Sequence, residues 1–566
     1  MIREMFLALG PITAVCAAMA DTRLVDAPSA RVDGRLWPGP APTNCPFPPS
    51  SAIPGLLFTG RHAEYTQADT WYPSWASDGK MYSPWTDGVV NGLRSNSAGA
   101  AATTGHATIL GDDPLRLEIV DQAVYASGPE PYQSRYPCGS LVFDGVWYYG
   151  TYCLGGGQVT RHNGITYNWP WLGPFVGFRF STDFGKTWTQ TPCTPEKPLF
   201  GEQGLKGGPV KIGAPHFVDF GKNMEHSPDG KAYPVAHGAS DGADRRFGYN
   251  SWITGDEIYL LRVTPGIASM NDASKYEFFD GTAWTGDFGK IKPIAAWRDH
   301  MGCVTMTYNA PLRKYLMCVT DGGTTGGFFD SYILESDHIT GPFKMAQYFH
   351  HFGEQGYFLN LPSKFIHAEG GTMWLSYSAN FAATWDGKRI QSKPPGSKYA
   401  MCLQELKLCR SGEPVPPPGP LESPDNIAPL ATLSVGSTHP DYAPAGAVDG
   451  IVDGFPGDIR REWASRGETE TAVLRLTWSE AHIVDRVWLF DRPNTLDQIT
   501  GGMLIFSDGS TLPVGALPDD AGQGVEIKFP KKKITWMIFA VTAVKPGGLN
   551  IGLSEIAVFQ KSPTRP

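Results

Sequence analysis

The stretch YPCGSLVFDGVWYYGTYCL, residues 136–154, decides the fold that this sequence predicts. Apolar and aromatic residues lie on both sides of the turn residues Asp144-Gly145, which is typical of a β-hairpin. Hairpins of the same kind recur along the chain, at residues 72–88, 214–238, 300–323 and 356–381. With the strands between them they indicate an all-β fold, a five-bladed β-propeller of about four strands a blade over residues 55–410. A β-sandwich is the alternative for any strand-rich sequence, but hairpins at regular intervals favour the propeller.

One short motif supports this fold. Residues 181–188, STDFGKTW, match the Asp box S-x-D-x-G-x-T-W, which is typical of propeller blades. We expect Asp183 to accept hydrogen bonds within the turn, Gly185 to adopt a positive φ, and Trp188 to pack between blades. Asp183 is therefore predicted to be a folding residue and not a catalytic one.

The composition narrows the classes of function. Of 566 residues, 41% are hydrophobic and 18% charged, which excludes a disordered chain. The net charge of -9 argues against a nucleic-acid partner, because phosphate binding needs a basic surface. The abundance of aromatic residues, 17 Trp, 22 Tyr and 29 Phe, suits a carbohydrate ligand better than an anion.

The sequence divides into several segments. Residues 1–20 are predicted to be a signal peptide, because an apolar run ends in Ala18-Met19-Ala20, a typical cleavage site. We therefore expect a secreted or periplasmic protein with no membrane partner, an uncleaved anchor being the alternative. A Pro-rich lead-in covers 21–54, and residues 56–60, LLFTG, are a candidate strand for closing the propeller ring. A Pro-rich linker at 411–425 separates the propeller from a second domain at 426–562.

The cysteines suggest disulfides. Cys138 with Cys153, and Cys303 with Cys318, share the same spacing, and each pair straddles a turn. Residues so placed face each other across a hairpin when they form a non-hydrogen-bonded pair, which permits a disulfide. Buried free thiols are the alternative.

Propeller geometry selects the candidate site residues. The first strand of each blade begins at the ligand-binding face, and the second strand returns to that face, so residues at these two places converge. Carboxylates, histidines and aromatic rings there supply the acid–base groups and stacking surfaces that a sugar site needs. The residues selected in this way are Asp69, Trp71, Asp87, Arg135, Tyr136, Tyr152, His216, His237, Asp299, His300, Asp321, Glu354, Gln355, Tyr357 and Asn380, with His106 expected at the rim. Trp85 is a further candidate for a stacking surface.

The body resembles the five-bladed propeller glycoside hydrolases, such as family 43 and the arabinan-degrading families. The resemblance rests on the blade pattern and on DTWYPSW, residues 69–75, and it implies that Asp69 is the general base. The family's acid lies in an E-G-P-H segment, whereas this chain has Gly213-Ala214-Pro215-His216. We therefore take Asp69 and Glu354 as the catalytic pair. His216, His300 and Asp299 are further catalytic candidates. Trp85 and the other selected residues, apart from Tyr136, Gln355 and Tyr357, are assigned to substrate binding.

The second domain resembles the discoidin-like (coagulation factor 5/8 type) β-sandwich, through N-x-A at 426–428, AVDG at 447–450 and LSEIAVF at 553–559. The resemblance implies a glycan-binding module with a structural calcium ion near Asp449 and Glu555, whose oxygens suit calcium. A docking module without a ligand is the alternative.

Three functions remain open from the sequence. The leading one is a glycoside hydrolase that acts on an oligo- or polysaccharide as a monomer and needs no cofactor for its chemistry. The second is a polysaccharide lyase, since the two-domain layout also resembles the secreted rhamnosyl-glucuronate lyases, with bases such as His106 or Tyr152 and cations such as Arg135. The third is a non-catalytic glycan-binding propeller.

Overall fold

The computed structural model describes most of the chain and divides it into two compact units, one of residues 36–416 and one that contains residues 417–566. The predicted signal peptide, most of the lead-in and nearly all of the linker lie outside the described residues. The described residues are 35–37, 41–97, 101–126, 134–154, 160–162, 165–167, 172–202, 209–241, 252–322, 328–353, 355–380, 394, 396–409, 421, 425–450, 452, 455, 459–492, 494, 496–519 and 524–560.

Strands and short 3-10 helices are the regular elements of the first unit, hereafter the body. The first half of the body carries β1 (Arg35–Leu36), β2 (Gly55–Tyr65), β3 (Gln67–Asp69), β4 (Ser74–Trp75), β5 (Met81–Val90), β6 (Leu93–Ser95), β7 (Thr103–Leu110), β8 (Glu118–Ala126), β9 (Ser134–Phe143), β10 (Val146–Leu154), β11 (Thr160–His162), β12 (Ile165–Tyr167) and β13 (Phe178–Ser181). The second half carries β14 (Ala214–Phe217), β15 (Pro234–Gly238), β16 (Glu257–Val263), β17 (Tyr276–Phe279), β18 (Trp284–Thr285), β19 (Pro293–Ala296), β20 (Val304–Asn309), β21 (Lys314–Asp321), β22 (Asp330–Ser336), β23 (Lys344–Phe349), β24 (Tyr357–Asn360), β25 (Thr372–Ser378) and β26 (Met401–Cys409). The 3-10 helices of the body are Lys222–Met224, Ala273–Lys275, Phe288–Lys290 and Ser363–Phe365.

The body strands form successive antiparallel sheets in a propeller-like arrangement. Four sheets contain a run of four or more strands, in the orders β3-β5-β7-β8, β14-β15-β16-β17-β18, β20-β21-β22-β23 and β2-β26-β25-β24. The sheet β9-β10-β13 has three strands among the described residues. The all-β class is confirmed, but the predicted five four-stranded blades are not, since the described residues form four.

The last of these sheets is completed by the first long strand of the body. Strand β2 pairs antiparallel with β26, with Leu56 opposite Leu408 and Tyr65 opposite Met401. The prediction that residues 56–60 supply a closing strand is therefore confirmed.

Side chains on the first strands connect neighbouring sheets around the centre of the body. The Ser74 hydroxyl accepts a hydrogen bond from the Val142 amide at 2.8 Å. The Thr305 hydroxyl donates to the Leu359 carbonyl at 2.6 Å. These short polar contacts fix how the sheets meet, and they hold the ends of the sheets in register.

The Asp box forms the turn that the sequence predicts. One Asp183 oxygen accepts from the Thr187 amide at 2.9 Å and the other from the Thr187 hydroxyl at 2.7 Å. Gly185 has a φ of 92°. The Trp188 ring packs 5.2 Å from Trp147, between two sheets, and it donates a hydrogen bond to the Gly185 carbonyl. The local pattern was sufficient for the turn itself because the hydrogen bonds of Asp183 lie within residues 181–188.

We expect Gly185→Ala to destabilise the body by about 3 kcal/mol. A Cβ at this position would lie 2.5 Å from Gln122 Oε1 and 3.0 Å from Trp147, and the positive φ adds strain. Gly60→Ala is the matched control, because Gly60 has a φ of 86° but no atom within 4 Å of its Cβ position. Denaturant unfolding should show a cost of only about 1 kcal/mol for the control, from the strain alone. Equal costs for the two variants would contradict the packing role.

The predicted disulfides are wrong. The ladder places Thr305 opposite Cys318, so Cys303 is displaced from Cys318 along the strands. In the other hairpin a register shift occurs between positions 149 and 151, and Cys153 lies opposite Arg135. Neither predicted pair is therefore placed face to face, and no disulfide is present among the cysteine side chains that the structure describes.

The second unit, hereafter the tail, is built from seven strands. They are β27 (Thr432–Val435), β28 (Trp463–Ala464), β29 (Val473–Asp491), β30 (Ile499–Phe506), β31 (Thr511–Val514), β32 (Gly524–Val544) and β33 (Gly552–Gln560). The strand order is β28-β33-β29-β32-β30-β31, and β27 also pairs with β29. Its 3-10 helices are Ala428–Leu430, Pro444–Val448 and Ile459–Arg461. A core that includes Trp463, Leu504 and Phe539 is fully buried, so the tail has its own hydrophobic centre.

No helix in the described part of either unit has the length and apolarity that a membrane span requires.

Candidate functional site

The candidate site lies around Asp69, the last residue of β3, and around Tyr136, near the start of β9. The register places Asp69 opposite Thr86 in one sheet and Tyr136 opposite Tyr152 in the next. Because both residues of each pair lie at the same end of their sheets, we call this the Asp69 end of the body.

Several of the predicted site residues and their neighbours have strained backbone, although positive φ values also occur elsewhere, as at Asp144 and Asn223. Thr70, Asp87, Asp299, Phe358 and Asn380 have φ values of 67°, 47°, 63°, 56° and 58°. Residues with a Cβ rarely adopt these angles, and each costs on the order of 1–3 kcal/mol. Such strain persists where surrounding contacts impose it, and it is common at ligand-binding and catalytic sites.

Asp69 is a buried carboxyl group surrounded by hydroxyls. The Tyr357 hydroxyl donates to one carboxyl oxygen at 2.9 Å, and the Thr70 hydroxyl donates to the other at 2.7 Å. Burial, together with the negative charge of Asp87, raises the pKa of Asp69 well above its usual range, and hydrogen bonds from Thr70, Tyr357 and Tyr399 offset this only in part. Asp69 therefore stays protonated at a pH where ordinary carboxyl groups are ionised.

Asp87 is the second carboxyl group of the site. Its oxygens accept from the Ser97 amide at 2.6 Å and from the Ser97 hydroxyl at 2.5 Å. Burial raises its pKa, but both Ser97 hydrogen bonds stabilise the ionised form. Asp87 therefore ionises before Asp69, and its charge then keeps the Asp69 proton in place.

A cavity of about 760 Å³ opens beside Asp87, within the size range of small-ligand sites. The Tyr399 hydroxyl donates to the Asp87 carbonyl at 2.5 Å, and it lies close enough to Asp69 to affect the pKa of that carboxyl group. Because Tyr399 lines the cavity, it connects the buried Asp69 to that space. The lining residues are Glu64, Thr66, Gln67, Asp87, Gly88, Val89, Arg94, Ser95, Asn96, Lys398, Tyr399 and Ala400.

The cavity wall carries charges of both signs. Glu64 forms an ion pair with Lys398. Burial raises the pKa of Glu64, but hydrogen bonds from His62 and Lys398 outweigh that effect and lower it to about 2. Glu64 is therefore ionised and paired at neutral pH, and Arg94 extends from an exposed position. Such polar groups suit a ligand with many hydroxyls.

Sequence reasoning missed most of this wall. Glu64 comes from β2, while Lys398 and Tyr399 precede β26, so their proximity to Asp87 arises only when the last sheet closes beside the first. The predicted closing strand was the signal that could have found these residues. If residues 56–60 pair with the last sheet, the residues that follow them must lie beside the segment that precedes β26.

The tryptophans chosen as stacking surfaces are in the core. Trp71 is 2% exposed and Trp85 is 0% exposed, and their rings stack on each other at 6.5 Å. The Trp71 indole nitrogen donates to the Ala68 carbonyl. Neither ring presents a face to a ligand, which corrects the prediction.

His106 and Tyr152 are also packed inside the body. His106 bonds through Nε2 to the Gly185 carbonyl at 2.8 Å and packs 5.2 Å from Trp188. Burial, with the charge of Arg179 next, lowers the pKa of His106 to about 3. Tyr152 is fully buried and stacks on Tyr136 at 5.2 Å. His106 supports the Asp box and is not at the rim of a pocket.

The two histidines of the third hairpin are buried together. His216 is 2% exposed, and its ring lies 4.1 Å from that of Tyr72 at a small cavity of about 40 Å³. His237 is fully buried on the neighbouring strand, opposite Ala214. Burial, and then the nearby His237, lowers the pKa of His216 to about 3. Both are interior residues, and neither lines the larger cavity.

His300 and Asp321 pair with each other at the Asp69 end. His300 Nδ1 lies 2.8 Å from an Asp321 oxygen, and the His300 ring stacks on Trp297 at 4.2 Å. Burial raises the pKa of Asp321 to about 6. Asp299 is exposed, and its backbone amide donates to Asp256. None of these groups lines the large cavity.

Of the three remaining residues with a predicted catalytic or substrate-binding role, one lies apart from the cavity, and the side chains of the other two are not among those that the structure describes. Asn380 is buried and donates to the Ser397 carbonyl at 3.0 Å. Glu354 lies outside the described residues, and of Arg135 only the backbone is described. The predicted Asp69–Glu354 pair therefore stays a prediction, while Asp87 is the carboxylate that the structure places beside Asp69.

In the tail, the predicted calcium ligands lie near each other but do not fit that ion by themselves. A buried Glu555 oxygen accepts from the Gly450 amide at 2.9 Å, next to Asp449 in the chain. Arg461 lies 3.1 Å from an Asp449 oxygen and already balances its charge. Two carboxylates, each engaged elsewhere, supply fewer oxygens than the six to eight that calcium takes.

A buried arginine orders the tail loops that precede β28 and β30. The Arg492 guanidinium lies 2.9 Å from both Glu462 and Asp497, and it donates to the Asn550 carbonyl at 2.6 Å. It also lies over the Tyr442 ring at 5.0 Å. These contacts connect four separate segments of the tail at one point.

Two exposed leucines lie on the same loops. Leu496 and Leu549 are 69% and 65% exposed. Asp497 accepts from the Leu549 amide at 2.8 Å, so the Arg492 network holds this apolar surface in position.

A family model and several solved structures are similar to this chain over part or most of its length. A family model described as a domain of unknown function, DUF7402, matches residues 426–559. No curated protein matches the chain. Among solved structures the chain is similar to one described as a glycoside hydrolase, at 11% identity and a TM-score of 0.31, covering 87% of this chain and 98% of that one.

Smaller sugar-binding structures are also similar. One is a Streptococcus pneumoniae fucose binding module, at 17% identity and a TM-score of 0.21, covering 24% of this chain and 95% of the module. Another is the family 32 carbohydrate-binding module of C. perfringens NanJ in complex with galactose, at 15% identity and a TM-score of 0.20, covering 24% of this chain and 98% of the module.

Proposed function

We propose that the body is a glycosidase whose reaction takes place in the 760 Å³ cavity beside Asp87. The observation that carries this proposal is the pair of interacting carboxyl groups, Asp87 partly buried in the cavity wall and Asp69 buried behind it. Neighbouring carboxyl groups with different pKa values are what hydrolysis of a glycosidic bond needs, since one must give a proton while the other is ionised.

The roles follow from the surroundings of each group. Asp87, held ionised by Ser97, activates water or attacks the anomeric carbon. Asp69 is the proton source, and its proton reaches the leaving oxygen through the Tyr399 hydroxyl, which contacts Asp69 and lines the cavity. This assignment reverses the general-base role that the family resemblance implies for Asp69, because a buried group with a raised pKa holds its proton.

The surroundings of the lyase candidates disfavour elimination. A catalytic tyrosine base needs an accessible hydroxyl that loses its proton readily. Burial raises the pKa of Tyr152 and of Tyr399 well above the usual range, and His106 is held inside the Asp-box cluster.

We propose further that the tail binds glycans on the loop surface that Arg492 orders. Exposed Leu496 and Leu549 and the half-buried Tyr442 provide an apolar surface beside polar groups. Sugar rings bind such mixed surfaces through their C–H faces and hydroxyls. Tethering a polymer there would raise its concentration at the body.

Product analysis with the full-length protein tests the proposed activity. On a panel of plant and microbial polysaccharides we expect new reducing ends without the ultraviolet absorbance of an unsaturated product. Arg94→Ala should raise KM about tenfold with little change in kcat, since a lost charged hydrogen bond is worth about 1.4 kcal/mol.

Arg116→Ala is the control, because the Arg116 side chain is 87% exposed and lies outside the cavity. Its KM should equal that of the unmodified protein. An unsaturated product would identify a lyase, and the absence of any product from every polysaccharide would contradict the enzymatic proposal.

A further inference from the structure

A pair of adjacent histidines lies on a rigid support at the end of β23. His350 and His351 are flanked by Phe349 and Phe352, which are both fully buried. The two phenylalanine rings lie 5.1 Å apart and pack against Trp37, at 6.5 and 5.2 Å. The Trp37 indole nitrogen also donates to the His350 carbonyl at 2.9 Å. The tip formed by His350 and His351 is thus held on both sides by buried aromatic residues.

Asp330, the first residue of β22, faces this tip. One Asp330 oxygen lies 3.1 Å from His350 Nδ1 and accepts from the His351 amide at 2.7 Å. The other accepts from the Tyr348 hydroxyl at 2.7 Å. Because one carboxylate contacts Tyr348, His350 and His351 at the end of β23, its orientation is fixed.

The geometry points to a metal site: we propose that Asp330, His350 and His351 bind a divalent transition-metal ion, Zn²⁺ in particular. One donor atom from each residue lies within 4.8 Å of the other two. Donors around Zn²⁺ are about 3.3 Å apart, so small side-chain rotations complete the site. Two imidazoles and a carboxylate are typical Zn²⁺ ligands, and they leave a fourth position for water.

The surroundings leave the two histidines open to an ion. The His350 side chain is 53% exposed, so an ion reaches it from solvent. The rings of His350 and His351 stack at 3.7 Å, which keeps the two imidazoles side by side. A positive φ of 52° at His351 turns its ring toward Phe328, which lies 4.5 Å away and is 56% exposed. This site is distinct from the Asp69 cavity and shares no residue with it.

The experiment is calorimetric titration of Zn²⁺ into the full-length protein, with any affinity tag removed and bound metal stripped by a chelator. We expect one ion per chain. His350→Ala, Asp330→Asn and His351→Asn should each weaken binding at least tenfold, and Asn keeps the positive φ accessible at position 351. Co²⁺ bound at the same site should give a visible absorption band that the three variants lose.

His367→Ala is the matched control. His367 is 49% exposed and lies 3.8 Å from the exposed Glu369, so it resembles the site in exposure and charge but has only one histidine. Its variant should bind Zn²⁺ as the unmodified protein does. No Zn²⁺ binding at micromolar protein concentration, or binding that His350→Ala and Asp330→Asn leave unchanged, would overturn the proposal. Circular dichroism of each variant separates loss of the site from loss of the fold.

Discussion

Asp69→Asn and Asp87→Asn are each expected to lower kcat/KM on the polysaccharide cleaved by at least a hundredfold, about 3 kcal/mol of transition-state stabilisation. The first change removes the proton donor and the second removes the ionised carboxylate, while both preserve side-chain shape. Steady-state kinetics measures the effect. The pH profile should lose its alkaline limb in Asp69→Asn, because that limb reports the ionisation of Asp69 in the unmodified protein.

Two matched controls accompany this prediction. Asp219 is buried like Asp69 and accepts from the Ser363 hydroxyl, and Asp144 has a φ of 48° like Asp87. Asp219→Asn and Asp144→Asn should keep turnover within about threefold of the unmodified protein per folded molecule. If Asp69→Asn and Asp87→Asn behave like these controls, the proposed acid–base pair is wrong.

The protonation of Asp69 has a consequence for stability that needs no substrate. Its pKa is near 3.9 in the unfolded chain and raised well above that in the folded protein. Between those two values the folded state holds more protons than the unfolded state, so the free energy of unfolding falls as pH rises. Asp69→Asn removes this pH-dependent contribution to the free energy of unfolding. The variant should therefore gain stability relative to the unmodified protein as pH increases from 4 towards neutrality.

Arg492→Met should destabilise the tail by about 3–5 kcal/mol. The change leaves two buried carboxylates, Glu462 and Asp497, without the guanidinium that compensates them, since their side chains are 0% and 8% exposed. Hydrogen–deuterium exchange of the full-length protein measures this locally. Amides of β29 and β33 should exchange at least a hundredfold faster, and body amides should be unaffected.

Arg461→Met provides the comparison. Arg461 pairs with Asp449 at 3.1 Å, but both side chains are partly exposed, at 16% and 21%. Partly solvated pairs are worth about 1 kcal/mol or less. Similar exchange rates in the two arginine variants would mean that the Arg492 network does not stabilise the tail.

The sequence predicted what depends on local pattern. The hairpin at Asp144-Gly145 and the turn at Gly185 form from contacts within a few residues, and both are present as expected. The hairpin pattern also placed Asp69 beside the second strand of its sheet, where it lies opposite Thr86.

The features that the sequence did not predict depend on contacts between distant segments. A tryptophan on a strand suits either a core or a sugar site, and only the packing of Trp71 against Trp85 decides between them. Tyr399 lies more than three hundred residues from Asp87 in the chain, so no spacing rule connects them. The cysteine prediction failed because the register of each hairpin displaces the two cysteines along the strands, with Cys153 opposite Arg135 and Cys318 opposite Thr305.

The pairing of β2 with β26 also bears on how the protein is made. Residues near the start of the body have their partner strand only after residue 401 has been synthesised. Until then the strand edge at 55–65 has unpaired backbone amides and carbonyls, which are the groups that neighbouring nascent chains pair with. Almost the whole body must therefore be synthesised before β2 and β26 can pair. Contacts between such distant segments form slowly, which favours binding of the nascent chain by chaperones during synthesis.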